Sequence, residues 1–354
     1  MTEVILRPAQ DRPLVIRESI AKLIDGQTLS RAEAESVMNE IMEGATTPAQ
    51  MAAFLTALRA KGETVDEITG CARAMREKAI AVQPRRTDIV DTAGTGGDGA
   101  GTFNISTTAA FVIAGAGLGV AKHGNRAVSG QSGSADVLEQ LGVNLDLTPE
   151  QVAQCIDEVG IGFLFAQKLH PAMRNVAPVR KELGIRTVFN ILGPLTNPAR
   201  TPAQIVGVYE ERLTLTLAQV LYALGVRAAF VFHSADGLDE LTTTGVNHVA
   251  RFDNGAIHEE ELDAHDYGLP RAQRDDLRGG TPAENAQIAR DILSGATRGA
   301  QRDVVVLNAA AALVAGGKAR DLSEGLALAN DSIDSGAARR ALDGLVARSQ
   351  SFKN

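Results

Sequence analysis

The chain has 354 residues, with 35 Lys plus Arg against 43 Asp plus Glu, so its formal net charge is −8. That acidic balance, together with 4% aromatic residues and no tryptophan, excludes a generic nucleic-acid coat and a base-stacking platform for single strands. The length allows one large domain or two with separate cores, and the surplus of acid sits awkwardly with any highly phosphorylated ligand.

The first third of the chain predicts short capped helices. Val15–Ile24 is followed by a capping box, Ser30 to Glu33, ahead of AEAESVMNEIMEG. Thr47-Pro48 supplies a cap and an N1 proline before AQMAAFLTALRAKG, and Thr64 to Glu67 forms a second box before ITGCARAMREKAI. No strand signal occurs before Ile89, and Gln83-Pro84-Arg85-Arg86 reads as a linker. Beyond it, the apolar runs DIVDTA, GVAKH, GFLFA, QIVGVY and RAAFVFHS alternate with helical patterns, which predicts a mainly parallel sheet with helices around it. The tail from NAQIARDILSG onward is helical again. The expected organisation is a small helical domain, 1–83, and a larger α/β domain, 84–354. Cys71 and Cys155 fall in separate predicted helices. Two isolated thiols form neither a disulfide framework nor a zinc cluster and fit a reducing cytoplasm. The N-terminal residues MTEVILRPAQDRP show no basic start followed by an apolar core, so no secretory signal is expected. The longest uncharged stretch, Gly99–Ala121, is too rich in Gly, Ser and Thr to make a good membrane span.

Four segments carry chemistry. The first, DTAGTGGDGAGTFNIST at 91–107, is a glycine-rich turn between a predicted strand and a helix starting near Ser106, a place where backbone amides can face an anion. Gly94 to Gly99 satisfies the spacing G-x-G-x-x-G. No carboxylate follows between Gly99 and Ala135, however, so the acid that should hold a dinucleotide's ribose is missing. A Walker loop is absent as well. The second segment, KHGNRAVSGQSGS at 122–134, precedes a helix near Ser134. Lys122 and Arg126 are the only charges in 99–135, a local +2 suited to phosphate oxygens. His123 within it reads equally well as structural or functional. The third, 159–181, holds Lys168, Arg174, Arg180 and Lys181 without a carboxylate, a local +4. An Arg here could fork onto a substrate carboxylate, or the run could be a basic helix face. The fourth, Gly237 to Leu241, follows a predicted strand. Its adjacent Asp239 and Glu240 could hold Mg²⁺, although an isolated acidic pair is ordinarily surface.

In order along the chain, GTGGD at Gly94–Asp98, NIST at Asn104–Thr107 and KHGNRAVSGQSGSAD at Lys122–Asp136 resemble the anthranilate phosphoribosyltransferase family. So do HPAMRNVAPVRKELGIRTVFNILGPLTNP at His170–Pro198 and DGLDELTTTG at Asp236–Gly245. The resemblance implies the two-domain fold shared by nucleoside phosphorylases and phosphoribosyltransferases, with part of about 168–186 packing back on the helical domain. It implies a cytoplasmic, homodimeric enzyme of tryptophan biosynthesis, with no nucleic-acid or membrane partner. By family likeness, phosphoribosyl diphosphate is handled by Gly94, Gly97, Asp98, Thr102, Asn104, Ile105, Ser106 and Thr107. Lys122, His123, Gly124, Asn125, Arg126, Ala127, Val128, Ser129, Gly130 and Ser134 belong to the same set. Anthranilate is held by Gly94, Asn125 and Arg180, which takes the carboxylate, with His123, His170 and Pro194 around the ring. Ser106, Asp239 and Glu240 match the family's Mg²⁺ positions. The sequence shows no obvious general base, so positioning and leaving-group stabilisation by Mg²⁺, Lys122, Arg126 and loop amides are expected to dominate. Two alternatives share the fold: a pyrimidine nucleoside phosphorylase, and a non-catalytic nucleic-acid-binding relative.

Overall fold

The structure is a computed structural model that describes residues 15–127, 131–253 and 255–353. Each cap signal in the first third begins a helix. Ser30 and Glu33 exchange bonds at the start of α2 (Arg31–Glu43), and Glu40 of α2 takes the N–H groups of Val15 and Ile16 at the start of α1 (Val15–Ile24), at 2.8 and 3.1 Å. Thr47 and Gln50 close α3 (Pro48–Lys61). Thr64 caps α4 (Val65–Lys78), and the reciprocal acid, Glu67, is fully buried. Glu67 also accepts from Leu29 N and Lys61 Nζ, both at 2.9 Å, so this cap carboxylate pins neighbouring segments and has the partners a buried charge needs. Gly70 lets α4 lie directly on α2, because a Cβ there would sit 2.8 Å from Glu35 N.

The chain divides into two units after Lys78, and Ala172–Val188 belongs with the helical unit, where Asn175 Nδ2 donates to Met42 O at 2.9 Å. This division falls a few residues before the expected boundary near 83, and Ala172–Val188 takes in most of the expected returning stretch, about 168–186. Residues 79–86 ride on the α/β unit: Ile80 N bonds Leu169 O, Val82 N bonds Pro198 O, and Asp157 accepts from the backbone N–H groups of Arg85 and Arg86.

In the α/β unit the described residues form a seven-stranded sheet. Strands β1 (Ile89–Gly94), β2 (Gly119–Gly124), β3 (Ile161–Phe165), β4 (Ala203–Gly207) and β5 (Ala228–Ser234) are parallel, in the order β3-β2-β1-β4-β5. The chain winds outward from β1 to one side and from β4 to the other. That is the switch point outside which ligands bind at the carboxyl ends of open α/β sheets. Two further strands, β6 (Val246–Asp253) and β7 (Ile257–Asp263), extend the sheet antiparallel, with Phe252 opposite Ile257. They are not among the strands the sequence pattern predicts.

Helix α5 (Ile105–Gly115) follows the glycine loop and is apolar on nearly every face, as a core helix must be. Next come α6 (Ser134–Leu141), α7 (Pro149–Val159), the short α8 (Ala166–Leu169), α9 (Ala177–Leu183) in the helical unit, α10 (Phe189–Leu192) and α11 (Leu213–Ala223). The tail forms α12 (Pro282–Leu293), α13 (Ala300–Ala315), α14 (Leu322–Asp334) and α15 (Ala337–Gln350). α13, almost wholly buried, packs against α5 and β4. No described helix is long and apolar enough to cross a membrane.

Candidate active site

The carboxyl end of β1 opens into residues 95–101, where Gly96, Gly97, Gly99 and Gly101 take φ of +66°, +78°, +67° and +66°. Only glycine adopts that conformation cheaply at four positions so close together. The loop closes on Thr102, which bridges Arg278, and on Phe103, a buried plug whose N–H bonds Leu277 O. Asn104 then precedes α5. Its side chain is committed within the fold: Oδ1 accepts from Ser132 Oγ at 3.2 Å and Asn285 Nδ2 at 2.9 Å, and Nδ2 donates to Ser132 O. Ile105 and Thr107 are buried behind it.

The loop 235–245 brings Asp239 and Glu240 to this end of the sheet. Asp239 Oδ2 accepts from Gly96 N at 2.7 Å, and Glu240 Oε1 accepts from Ser106 N, in the first turn of α5, at 3.1 Å. The approach is tight. A Cβ on Gly207 would run into the backbone carbonyl of Asp239, and one on Gly94 into its carboxylate. Asp98 faces the same place. Burial, then Asp98 and Glu240, raise Asp239 well above the usual carboxylate range; burial raises Glu240 too, against the pull of Lys122 and Ser106. No described group of three or more His, Cys, Asp or Glu could hold a metal by itself. The donor set is nonetheless hard: two carboxylates that crowd one another beside a serine hydroxyl. Mg²⁺ bound by one or two carboxylates, with phosphate and water oxygens completing the shell, fits it.

Strand β2 serves this end and another. Lys122 is buried, and its Nζ donates to Thr92 O at 2.5 Å, Thr92 Oγ1 at 3.1 Å and Ser106 Oγ at 3.4 Å. Burial presses its pKa down, while Asp91 and Glu240 push it back up. His123, the next residue, points the other way, as successive strand residues do. Its N–H bonds Asp91 Oδ1 at 3.0 Å, and Nδ1 lies 3.2 Å from Gly193 O. A carbonyl only accepts, so Nδ1 carries the proton. Nε2 is then the acceptor for His170 Nε2, 3.2 Å away, which leaves His170 Nδ1 without a proton. Burial holds His123 down to about 3 and His170 to about 4, so both imidazoles are neutral near pH 7. Asp91, whose pKa is itself raised by burial, lies 3.4 Å from Gln204 Nε2; that amide also donates to Pro194 O and so ties Pro194 to the same cluster.

Of the other expected residues, Gly124, Asn125, Arg126, Ala127 and Ser134 follow directly from β2 in the α/β unit. Gly124 ends β2, where a Cβ would meet the Phe163 ring at 2.8 Å. Asn125 O accepts from Ser134 Oγ, and Ala127 N donates to Asp136. Arg126 is paired with Asp136 at 2.9 Å and Glu139 at 2.8 Å, and Lys168 with Asp146, so carboxylates just outside the two basic windows neutralise part of their local charge. Val128, Ser129 and Gly130 lie outside the described residues. Arg180 sits on α9 of the helical unit, half-buried, with its pKa lowered by burial. Sequence reasoning missed Asp91 and Thr92, the residues that orient His123 and Lys122. The signal was there, in two polar residues inside an apolar strand run.

A family model described as the glycosyl transferase family a/b domain matches residues 86–339, and that family's helical bundle domain matches residues 17–79. A curated relative, the anthranilate phosphoribosyltransferase of Moorella thermoacetica, is 58% identical over 338 residues, covering 96% of this chain and 99% of that protein. The chain belongs to the anthranilate phosphoribosyltransferase family. Among solved members of this family, the Thermus thermophilus enzyme matches with a TM-score of 0.89 at 46% identity, covering 94% of this chain and 99% of that one. The Saccharomyces cerevisiae enzyme, solved in complex with PRPP and Mg, matches at 0.87 and 29% identity, covering 96% of this chain and 99% of that one.

Proposed function

We propose that the chain transfers the phosphoribosyl group of 5-phosphoribosyl 1-diphosphate to anthranilate, giving N-(5-phosphoribosyl)anthranilate and diphosphate in tryptophan biosynthesis. The observation that carries this reading is the convergence of the glycine loop, the first turn of α5, Lys122 and the Asp239–Glu240 pair at the carboxyl ends of the parallel strands. The yeast relative's complex with PRPP and Mg supports it.

In this proposal Gly94, Gly97, Asp98, Thr102 and residues 104–107 surround the diphosphate and ribose with 122–130 and Ser134, where Arg126 braces the loop through its carboxylates. When bound, Mg²⁺ is held by Ser106, Asp239 and Glu240 and offsets charge on the diphosphate. Lys122 adds a fixed positive charge to that end, and the loop amides supply donors that need no reorganisation. By family likeness, Arg180 is the residue that would take the anthranilate carboxylate, and Asn125, His123, His170 and Pro194 are those assigned to its ring. The amine nitrogen bonds to the anomeric carbon as the carbon–oxygen bond to diphosphate breaks. The bonding pair leaves with the diphosphate, and the amine proton passes to solvent or to the departing diphosphate. Neutral imidazoles suit this step, since they place no additional positive charge beside a cation-like sugar. We also assign the protein to the cytoplasm and, as the family likeness implies, to a homodimer formed through the helical unit. A monomer mass by light scattering would overturn that last assignment.

Anthranilate fluorescence tests the main reading. Adding enzyme, the diphosphorylated sugar and Mg²⁺ should quench the signal in step with diphosphate release. A steady signal, or phosphorolysis of a pyrimidine nucleoside instead, would overturn it.

A further inference from the structure

Both loops that build the diphosphate end are held from behind by buried asparagines on helices much later in the chain. Asn308, in the middle of α13, is wholly buried. Its Oδ1 accepts from Leu241 N at 3.2 Å, while Nδ2 donates to Leu241 O at 2.8 Å and to Val304 O at 2.9 Å. The two bonds to Leu241 pair a side-chain amide with the backbone of a single residue, much as a ladder pairs strands. They fix the chain immediately after Glu240. The loop has no regular structure of its own there, so this clamp, with Asn247, which bonds both backbone groups of Thr242 in the same way, anchors the base from which the Asp239–Glu240 carboxylates reach Gly96 N and Ser106 N.

Asn285, at the start of α12, does the equivalent on the other side. It is 2% exposed, accepts from Gly280 N at 2.8 Å and donates to Asn104 Oδ1 at 2.9 Å. Together with the Ser132 hydroxyl it fills both lone pairs of that oxygen, which fixes the Asn104 side chain and ties the start of α5 to the loop before α6. The segment leading into α12 reinforces the tie. Gly279 N bonds Gly101 O, and a Cβ on Gly279 would lie 2.6 Å from Phe103 Cα, so that strip of chain lies flat against the end of the glycine loop.

We propose that Asn308 and Asn285 are positioning residues for the reaction: Asn308 aims the acidic pair that holds the metal, and Asn285 sets the diphosphate-facing start of α5. The proposal rests on the function assigned above. Partners that orient ligating groups commonly change metal affinity by about 10- to 100-fold when removed. The two asparagines should therefore separate in what they disturb.

The test reads binding directly. Mn²⁺ bound to the intact protein in the presence of phosphoribosyl diphosphate is counted by electron paramagnetic resonance, and the diphosphorylated sugar by calorimetry at saturating Mg²⁺. Asn308→Ala should weaken Mn²⁺ by about tenfold or more and leave the KM for anthranilate within about twofold. Asn285→Ala removes the donor to Asn104, together with the acceptor for Gly280 N, without adding a charge beside the diphosphate. It should weaken the sugar by about five- to tenfold, and should add almost nothing once Asn104 is already Ala. Ser332→Ala is the control: it deletes a buried hydroxyl that donates to Val112 O in the same core, away from both loops, and should lower the melting temperature without moving either titration. Unchanged binding in both asparagine variants, or equal weakening in Ser332→Ala, would overturn the proposal. Should Asn308→Ala fail to fold, Asn308→Ser decides its half of the proposal and Asn285→Ala the other. Wild-type protein that binds neither Mn²⁺ nor the sugar would overturn the assigned function instead.

Discussion

The two clusters on β2 start from adjacent residues and solve opposite problems. Around Lys122 the polypeptide collects charge: an ammonium, the Asp239–Glu240 pair and Asp98, and the pKa values of Lys122, Asp239 and Glu240 are pulled away from normal by burial and by neighbouring charge. Around His123 it removes charge: two tilted imidazoles form a one-way chain of hydrogen bonds that ends on Gly193 O, and burial keeps both neutral. Strand alternation is what allows this. Thr92 and Lys122 face the start of α5, while Asp91 and His123 face the 193–204 segment, so a charged end and a neutral end share two strands and feel one another only through the field between Lys122, Asp91 and His123. The local-charge argument from sequence, which counts Lys122 and His123 within one basic segment, cannot see that partition.

The sharpest way to break the comparison is at the acidic pair. Glu240→Gln or Asp239→Asn should lower kcat/KM for the diphosphorylated sugar by about 100-fold or more, the scale of a lost transition-state charge contact, while the KM for anthranilate stays within about threefold. An anthranilate KM that rose in parallel would mean the two ends are not separate. Next in size is Gly207→Ala. The new methyl meets the Asp239 carbonyl, so the loop must move, at a cost of about 2 kcal/mol in urea unfolding, and the Mg²⁺ needed for half-maximal rate should rise. The same substitution at Gly193, whose Cβ would meet nothing within 4 Å, should leave both unchanged.

Much of this was written locally and could be read from sequence. Ser30 with Glu33 and Thr64 with Glu67 announce helix starts, because a cap is a contact between neighbours. The glycine loop and the helix from Ser134 are local in the same sense. What sequence could not give depends on partners far along the chain. β7 reads as IHEEELD, whose acidic residues suit an exposed edge strand but hide its alternation, although Asn254-Gly255 between the two runs is a hairpin signal. Arg126 looked like a free phosphate ligand because the window that counted its charge stopped before Asp136 and Glu139. Asn308 stands alone in the apolar run VVVLNAAAALVA. That is a visible anomaly, but its meaning appears only once α13 is packed beneath Leu241.

The neutral end predicts a pH signature. His123 and His170 lie at about 3 and about 4 in the folded protein against 6.5 as the ordinary value. Between pH 6.5 and 4 the unfolded chain therefore binds protons that the folded one refuses, and stability falls as pH falls, with a limiting slope of about 1.4 kcal/mol per pH unit for each imidazole. The raised carboxylates Asp239 and Glu240 contribute with the opposite sign, so the measurement is a difference. Wild type and His170→Gln are unfolded in urea at pH 7 and pH 5, and the variant should lose less stability on acidification. Equal losses would mean that the His123–His170 pair is not held neutral by the fold.

The smallest effect is expected at Arg126, which marks where the charged end stops. Its side chain is 40% exposed, and its guanidinium is already shared between Asp136 and Glu139. Arg126→Gln should cost only about 0.5–1 kcal/mol of stability, the range of exposed ion pairs, and raise the KM for the diphosphorylated sugar by less than about fivefold. Lys122→Gln should raise it far more, because that ammonium is buried against Ser106 and Glu240 and solvent cannot replace it. If Arg126 proved as costly as Lys122, it would have to leave its carboxylates when the sugar arrives. Arg126 would then be a direct contact of the sugar and not the brace proposed for it.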